Sequence, residues 1–146
     1  MRGQWIILRL TLPVLFVLAI FSGCLFARAI TWTDLSGDAN VWIEASHLGK
    51  RPAEVAFTLT IDGSSPVPPM TADRGAIRRI QMYGIYLEPG PHLLRVQATG
   101  EGIGTIASET VINAGDEKLY VYLIFDDEEA TPFLTIKTSA SSPGFA

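Results

Sequence analysis

Segment 83–100, YGIYLEPGPHLLRVQATG, restricts the fold of this chain more than any other stretch. Pro89 and Gly90 lie at its centre, where proline fixes a negative φ and glycine accepts the positive φ of a type II turn. Over positions 93–98 the side chains then alternate between two faces, which is the period of a half-buried strand. The segment therefore predicts two strands joined by a tight turn, and with them a β-sheet domain.

The same alternation recurs along the chain, and no segment has the period of a helix. The clearest strand is 54–62, in which apolar positions alternate with polar ones. Segment 118–125 is apolar on both faces, which is typical of a central strand. The other predicted strands are 40–46, 76–88, 92–98, 105–113 and 133–138. This pattern predicts an all-β protein with a single β-sandwich of about seven strands over residues 30–138.

Three stretches depart from the strand pattern. Segment 64–75 contains prolines that remove backbone donors, and it predicts a long extended loop. Within 76–88 the apolar parity changes at Gly84, which predicts a β-bulge or a crossing between sheets. Residues 139–146 are small and polar, and they predict a loose tail.

Residues 1–29 have the composition of a signal segment rather than of a domain. Arg2 and Arg9 flank the start of this segment, and the charge-free apolar run 10–20 follows them. Each interpretation of the residues that come next places the body of the protein outside the cytoplasm. The predicted localisation is therefore extracytoplasmic.

Three interpretations of the end of this segment remain open. Cys24, the only cysteine, closes the stretch FSGC, which resembles a bacterial lipobox and makes Cys24 a lipidation site. Segment 27–29 reads Ala-Arg-Ala and is an A-x-A site for release by signal peptidase. Segment 10–27 carries no charge and is near the shortest length that spans a bilayer. We favour the membrane-anchored lipoprotein, with secretion and an uncleaved anchor as alternatives.

The charge balance argues against nucleic acid as a partner. All 15 acidic residues lie from Asp34 onward, whereas three of the 11 basic residues precede position 29. A chain cut after Ala29 therefore carries 8 basic and 15 acidic residues, a balance of −7. Phosphate binding needs a positive field, which this composition does not supply.

The motifs of the chain do not suggest catalysis. No nucleophile elbow, zinc-protease helix or phosphate-binding loop occurs in the sequence. His47 is predicted in a loop and His92 directly after a turn, and a structural or solvated role is expected for both. We predict no enzyme activity, no cofactor and no metal.

Two groups of residues are candidates for ligand binding. The acidic run 126–129 offers oxygen ligands for Ca²⁺, but its consecutive spacing favours a solvated hairpin loop. Trp42, Tyr120 and Tyr122 share the face opposite the predicted core. Together they could form an aromatic platform for a sugar ring or a protein partner. These three residues are the predicted ligand-binding site.

A family resemblance rests on segment 87–96, LEPGPHLLRV, followed by Gly100 and by VINAG at 111–115 before a tyrosine-rich strand. Over about residues 54–125 this pattern resembles the PEGA and carboxypeptidase-regulatory-like modules of bacterial envelopes. The resemblance implies an Ig-like or transthyretin-like β-sandwich. It also implies a non-catalytic interaction or structural module at the cell surface, with an envelope protein or glycan as partner. The alternative function is an exported module that binds carbohydrate or calcium.

Overall fold

The computed structural model describes residues 29–49, 54–73, 79–128 and 130–141. Over these ranges the chain is all-β. The strands are β1 (Ala29–Asp34), β2 (Val41–Leu48), β3 (Glu54–Ile61), β4 (Met70–Asp73), β5 (Arg79–Ile85), β6 (Gly90–Gly100), β7 (Gly104–Ala114), β8 (Leu119–Asp126) and β9 (Phe133–Ser139). No helix that could cross a membrane occurs in this described part of the chain. The predicted signal segment, with Cys24, and most of the predicted tail lie outside these ranges.

The strands form two sheets that pack face to face. The first sheet has the order β1-β5-β2-β8-β9 and the second the order β4-β3-β6-β7. Two pairs, β1 with β5 and β2 with β8, are parallel, and the others are antiparallel. The core between the sheets includes the fully buried side chains of Val41, Ile43, Val55, Phe57, Leu94, Val96, Val121, Leu123 and Phe125. The predicted all-β sandwich is confirmed, with nine strands described rather than about seven.

The two additional strands are short edge strands. β1 is not among the predicted strands, and it pairs in parallel with β5, from Ala29 opposite Arg79 to Asp34 opposite Gly84. β4 lies within the stretch predicted as a proline-rich loop, and it places Met70 and Ala72 in the core. β1 pairs with a strand about 50 residues away, and β4 is separated from its partner β3 by residues 62–69. Short segments of this kind are too brief to show a reliable period.

The predicted hairpin around Pro89 and Gly90 is wrong in its pairing. β5 belongs to the first sheet and β6 to the second, so residues 86–89 cross between the sheets. Gly90 has a positive φ, of 137°, but it begins β6 rather than lying in a turn. A Pro-Gly pair followed by an alternating strand fits a hairpin and a crossover equally well, and only the distant partners of each strand decide between the two.

Gly84 is neither a bulge nor the crossing itself, which comes shortly after it at residues 86–89. The register of β2 and β5 runs without interruption through the pairs Ile43–Tyr83, Trp42–Gly84 and Val41–Ile85. The change of apolar parity has another cause, because β5 is apolar on both faces. Its residues Tyr83 and Ile85 pack in the core, whereas Met82 is buried on the opposite side of the sheet.

Asn40 ties three connections together at one end of the sandwich. Its side-chain amide nitrogen donates to the carbonyl oxygens of Leu87, at 2.8 Å, and Gly115, at 3.1 Å. Its side-chain oxygen accepts a hydrogen bond from the Leu87 amide, at 2.9 Å. The start of β2 is thereby fixed to the crossover after β5 and to the connection between β7 and β8.

Candidate functional site

A second apolar cluster lies on the face of the first sheet that points away from the core. Val41 and Ile43 face the core, so the intervening Trp42 points outward. Met82 and Tyr120 on the neighbouring strands join it. We call this group, with the contacting residues of β1 and β8, the outer cluster; its members are Ile30, Trp32, Trp42, Ile80, Met82, Tyr120 and Tyr122.

The rings of the outer cluster are positioned by edge-on contacts with Trp32 and by close packing over Gly84. The Trp32 ring meets Trp42 edge-on, with centroids 5.0 Å apart and an interplanar angle of 78°. It also meets Tyr120 edge-on at 6.3 Å and 82°. The Trp42 ring lies directly over Gly84, because a Cβ added there would come within 2.8 Å of two ring carbons. Such T-shaped contacts are a favourable arrangement of aromatic rings.

The predicted ligand-binding residues are on the predicted face but are not exposed there. Trp42 and Tyr120 are only 8% and 7% exposed, and Tyr122 is half-buried. Burial raises the pKa of Tyr122, and the nearby Glu44 carboxylate adds to this effect. Stacking on a sugar ring needs an open aromatic face, which the two buried rings do not offer.

The exposed aromatic ring of the cluster is Trp32, at 43%. The sequence pattern did not place Trp32 with the predicted site of Trp42, Tyr120 and Tyr122, because segment 30–37 was not identified as a strand. The available signal was the two-residue spacing of Ile30 and Trp32. This spacing places both on the face that carries Met82 and Ile80.

His47 and Asp127 form a buried pair at the other end of β2. His47 lies in β2 rather than in a loop, and Asp127 is buried rather than solvated, so both predictions are wrong. The His47 Nε2 is 3.6 Å from the Asp127 Oδ1, and the two side chains are 0% and 1% exposed. Asp127 is held inward because its backbone amide donates to the carbonyl oxygen of Leu48, at 3.1 Å.

His92 clamps the turn after β3 to the crossover before β6. Its Nδ1 is 2.6 Å from the Asp62 Oδ2, and its Nε2 is 2.7 Å from the carbonyl oxygen of Glu88. A carbonyl oxygen and an ionised carboxylate can only accept, so both ring nitrogens donate and His92 is an imidazolium in this arrangement. The Glu88 carbonyl and the Asp62 carboxylate raise the pKa of His92, while the His92 hydrogen bond lowers the pKa of Asp62.

We expect this clamp to make stability depend on pH. The contribution of His92 to the free energy of unfolding is fully present below its ordinary pKa of 6.5 and is lost as the pH rises through its raised pKa. The contribution of Asp62 is fully present above its ordinary pKa of 3.8 and is lost as the pH falls through its lowered pKa. The stabilisation is therefore greatest between these two ordinary values.

The test compares wild type with Asp62→Asn by urea denaturation at about pH 5 and about pH 9. Asparagine tolerates the positive φ of 51° at this position and keeps an acceptor for the Leu93 amide, so the charge is the main change. The stability difference should be larger at the lower pH. The pKa of His92, followed by proton NMR, should fall in the variant. An unchanged His92 pKa would contradict the clamp.

Metal ligands do not gather in the described residues: no three His, Cys, Asp or Glu side chains converge there. The acidic run supplies Asp126 to β8 and Asp127 to the buried pair, so its members point in different directions. No protein-family model, no curated protein and no solved structure matches this chain.

Proposed function

We propose that the chain is a non-catalytic, extracytoplasmic β-sandwich that its N-terminal segment holds at a bacterial membrane, where it acts as an interaction or structural module. The resemblance of its Pro-Gly turn region to envelope modules points in the same direction. The acidic balance of the domain fits a partner other than nucleic acid.

The observation that carries the proposal is the position of β1. This strand starts at Ala29, with only Arg28 between it and the charge-free run 10–27. Cleavage after Ala29 would remove the first residue of β1, which pairs with Arg79. Cleavage before Cys24 would leave β1 whole behind a short tether. The strand boundary therefore supports the lipobox over the A-x-A site.

The experiment is an intact mass of the chain from the membrane fraction of a bacterial host, beside a Cys24→Ser control. We expect a mass that corresponds to a chain starting at a lipid-modified Cys24, and the control should lose it. An uncleaved chain found in the membrane would mean that the N-terminal apolar segment, rather than a lipid, anchors the domain. A chain that starts at Ile30 and is absent from the membrane would overturn the proposal and direct the search to soluble glycan or calcium binding.

A further inference from the structure

The two outer faces of the sandwich differ in chemistry. On the second sheet the outward positions are mainly hydroxyl, amide and charged, and they include the exposed residues Thr58, Arg95, Gln97, Thr99 and Glu109. This is the usual surface of an antiparallel sheet that faces water. On the first sheet the outward face of β1, β5, β2 and β8 carries the outer cluster. Strands β5, β2 and β8 therefore have apolar side chains on both faces of the sheet.

Trp32 is a fixed, exposed element of this face. Its ring is braced edge-on by Trp42 and Tyr120, yet 43% of the residue remains in contact with water. Ile30 and Ile80, both half-buried, lie next to it on the paired strands. A tryptophan held in one orientation loses little conformational freedom when a partner covers it.

The sequence before β1 indicates what covers the face. Five peptide links join Cys24 to Ala29 (29 minus 24), and a fully extended chain of that length spans about 18 Å. A lipid on Cys24, or an anchor over 10–27, therefore keeps β1 next to the bilayer. Trp32 lies on that strand and on the apolar face of its sheet.

We infer that the outer cluster lies against the headgroup layer of the membrane that holds the N-terminus, with Trp32 inserted among the lipid headgroups. Tryptophan and tyrosine are the residues most enriched at this depth. Half-buried Glu44 lies between Met82 and Tyr122 on the same face, which fits the polar headgroup layer rather than the hydrocarbon interior. This inference rests on the proposed membrane attachment.

The contact is apolar rather than electrostatic, because the chain has a formal net charge of −4. Attraction to anionic lipids needs clustered lysine and arginine, and the described members of the outer cluster include neither. The outer cluster should therefore contact zwitterionic and anionic vesicles to the same extent, and added salt should not weaken this contact.

The test uses the full chain, extracted from membranes and reconstituted in phosphatidylcholine vesicles that contain a lipid with a nitroxide near the headgroup. A Trp5→Phe background removes the tryptophan of the N-terminal segment. The emission of Trp32 is the part of the signal that is lost when Trp32→Phe is added to this background. We expect the nitroxide to quench most of it. The matched control places a tryptophan on the opposite face, as Val111→Trp in the double variant, because Val111 is 57% exposed there. Its emission should remain unquenched.

Each outcome decides between the two proposals. If Trp32 in the vesicle-bound chain is not quenched, or if the tryptophan at position 111 is quenched equally, the inferred contact of the outer cluster with the headgroup layer is wrong. Membrane attachment stands in that case. If the chain does not partition with membranes at all, the proposed function fails and the inference with it. Should Trp32→Phe prevent folding, Trp32→Tyr keeps an aromatic side chain that suits a membrane interface while it removes the tryptophan emission.

Discussion

Replacing Asn40 with alanine lowers the free energy of unfolding by about 2–4 kcal/mol, because three side-chain hydrogen bonds disappear at once. The variant leaves the Leu87 amide and the carbonyl oxygens of Leu87 and Gly115 without these partners. These groups are partly buried, so water replaces the lost bonds only in part. A loss of this size is a large fraction of the stability of a small domain. Urea denaturation of variant and wild type measures it.

Asn113→Ala is the matched control, because it removes the same atoms from an exposed position on β7. We expect its stability to stay within about 0.5 kcal/mol of wild type. Asn40→Asp tests the side-chain amide donor separately from the acceptor. Aspartate keeps an acceptor for the Leu87 amide but places a carboxylate beside the carbonyl oxygens of Leu87 and Gly115. Equal stability of Asn40→Ala and Asn113→Ala would show that Asn40 does not tie the three connections.

Replacing Gly49 with alanine should be similarly destabilising, by about 2–4 kcal/mol. A Cβ at Gly49 would overlap the Oδ1 of Asp127 and lie 2.6 Å from its Cγ. Asp127 has a short side chain that is packed against His47 without contact with solvent, so it cannot move aside without leaving the buried pair. Displacing a buried polar group from its partner leaves it without a hydrogen-bonding environment and is a costly change in a protein.

Gly115→Ala is the control for this second prediction. A Cβ at Gly115 meets no atom within 4 Å, and the residue does not have a positive φ. The stability of the Gly115→Ala variant should therefore remain near that of wild type, and thermal unfolding measures it. A Gly49→Ala variant as stable as Gly115→Ala would mean that the Asp127 carboxylate is free to rotate away from His47.

The strands that carry the core were predictable because burial on one face leaves a two-residue period in the sequence. The prediction of 54–62 matches β3, and that of 118–125 matches β8, which lies between β2 and β9. The period records how deeply each face is buried, but it does not identify the neighbouring strand. For this reason the predicted hairpin at Pro89 is wrong, and the change of parity at Gly84 marks neither a bulge nor the crossing between the sheets, which lies at residues 86–89.

The candidate site was predictable in its position but not in its exposure. Parity alone placed Trp42, Tyr120 and Tyr122 on the outward face. Trp42 and Tyr120 pack against Trp32, which comes from an edge strand that pairs in parallel with a segment about 50 residues away. His47 and Asp127 show the same limit. Each looked like part of a polar connection, and each is buried by elements distant in the sequence.

The parallel pairing of β2 with β8 also governs when the chain can fold. Val41 is registered with Leu119, which is 78 positions later (119 minus 41), and β5 on its other side begins to pair at Ile85. A ribosome therefore releases most of the chain before β2 has both neighbours. Folds that depend on such distant contacts form slowly, because the loops must close before the contacts can compensate. The first sheet therefore cannot be completed until most of the chain has been synthesised.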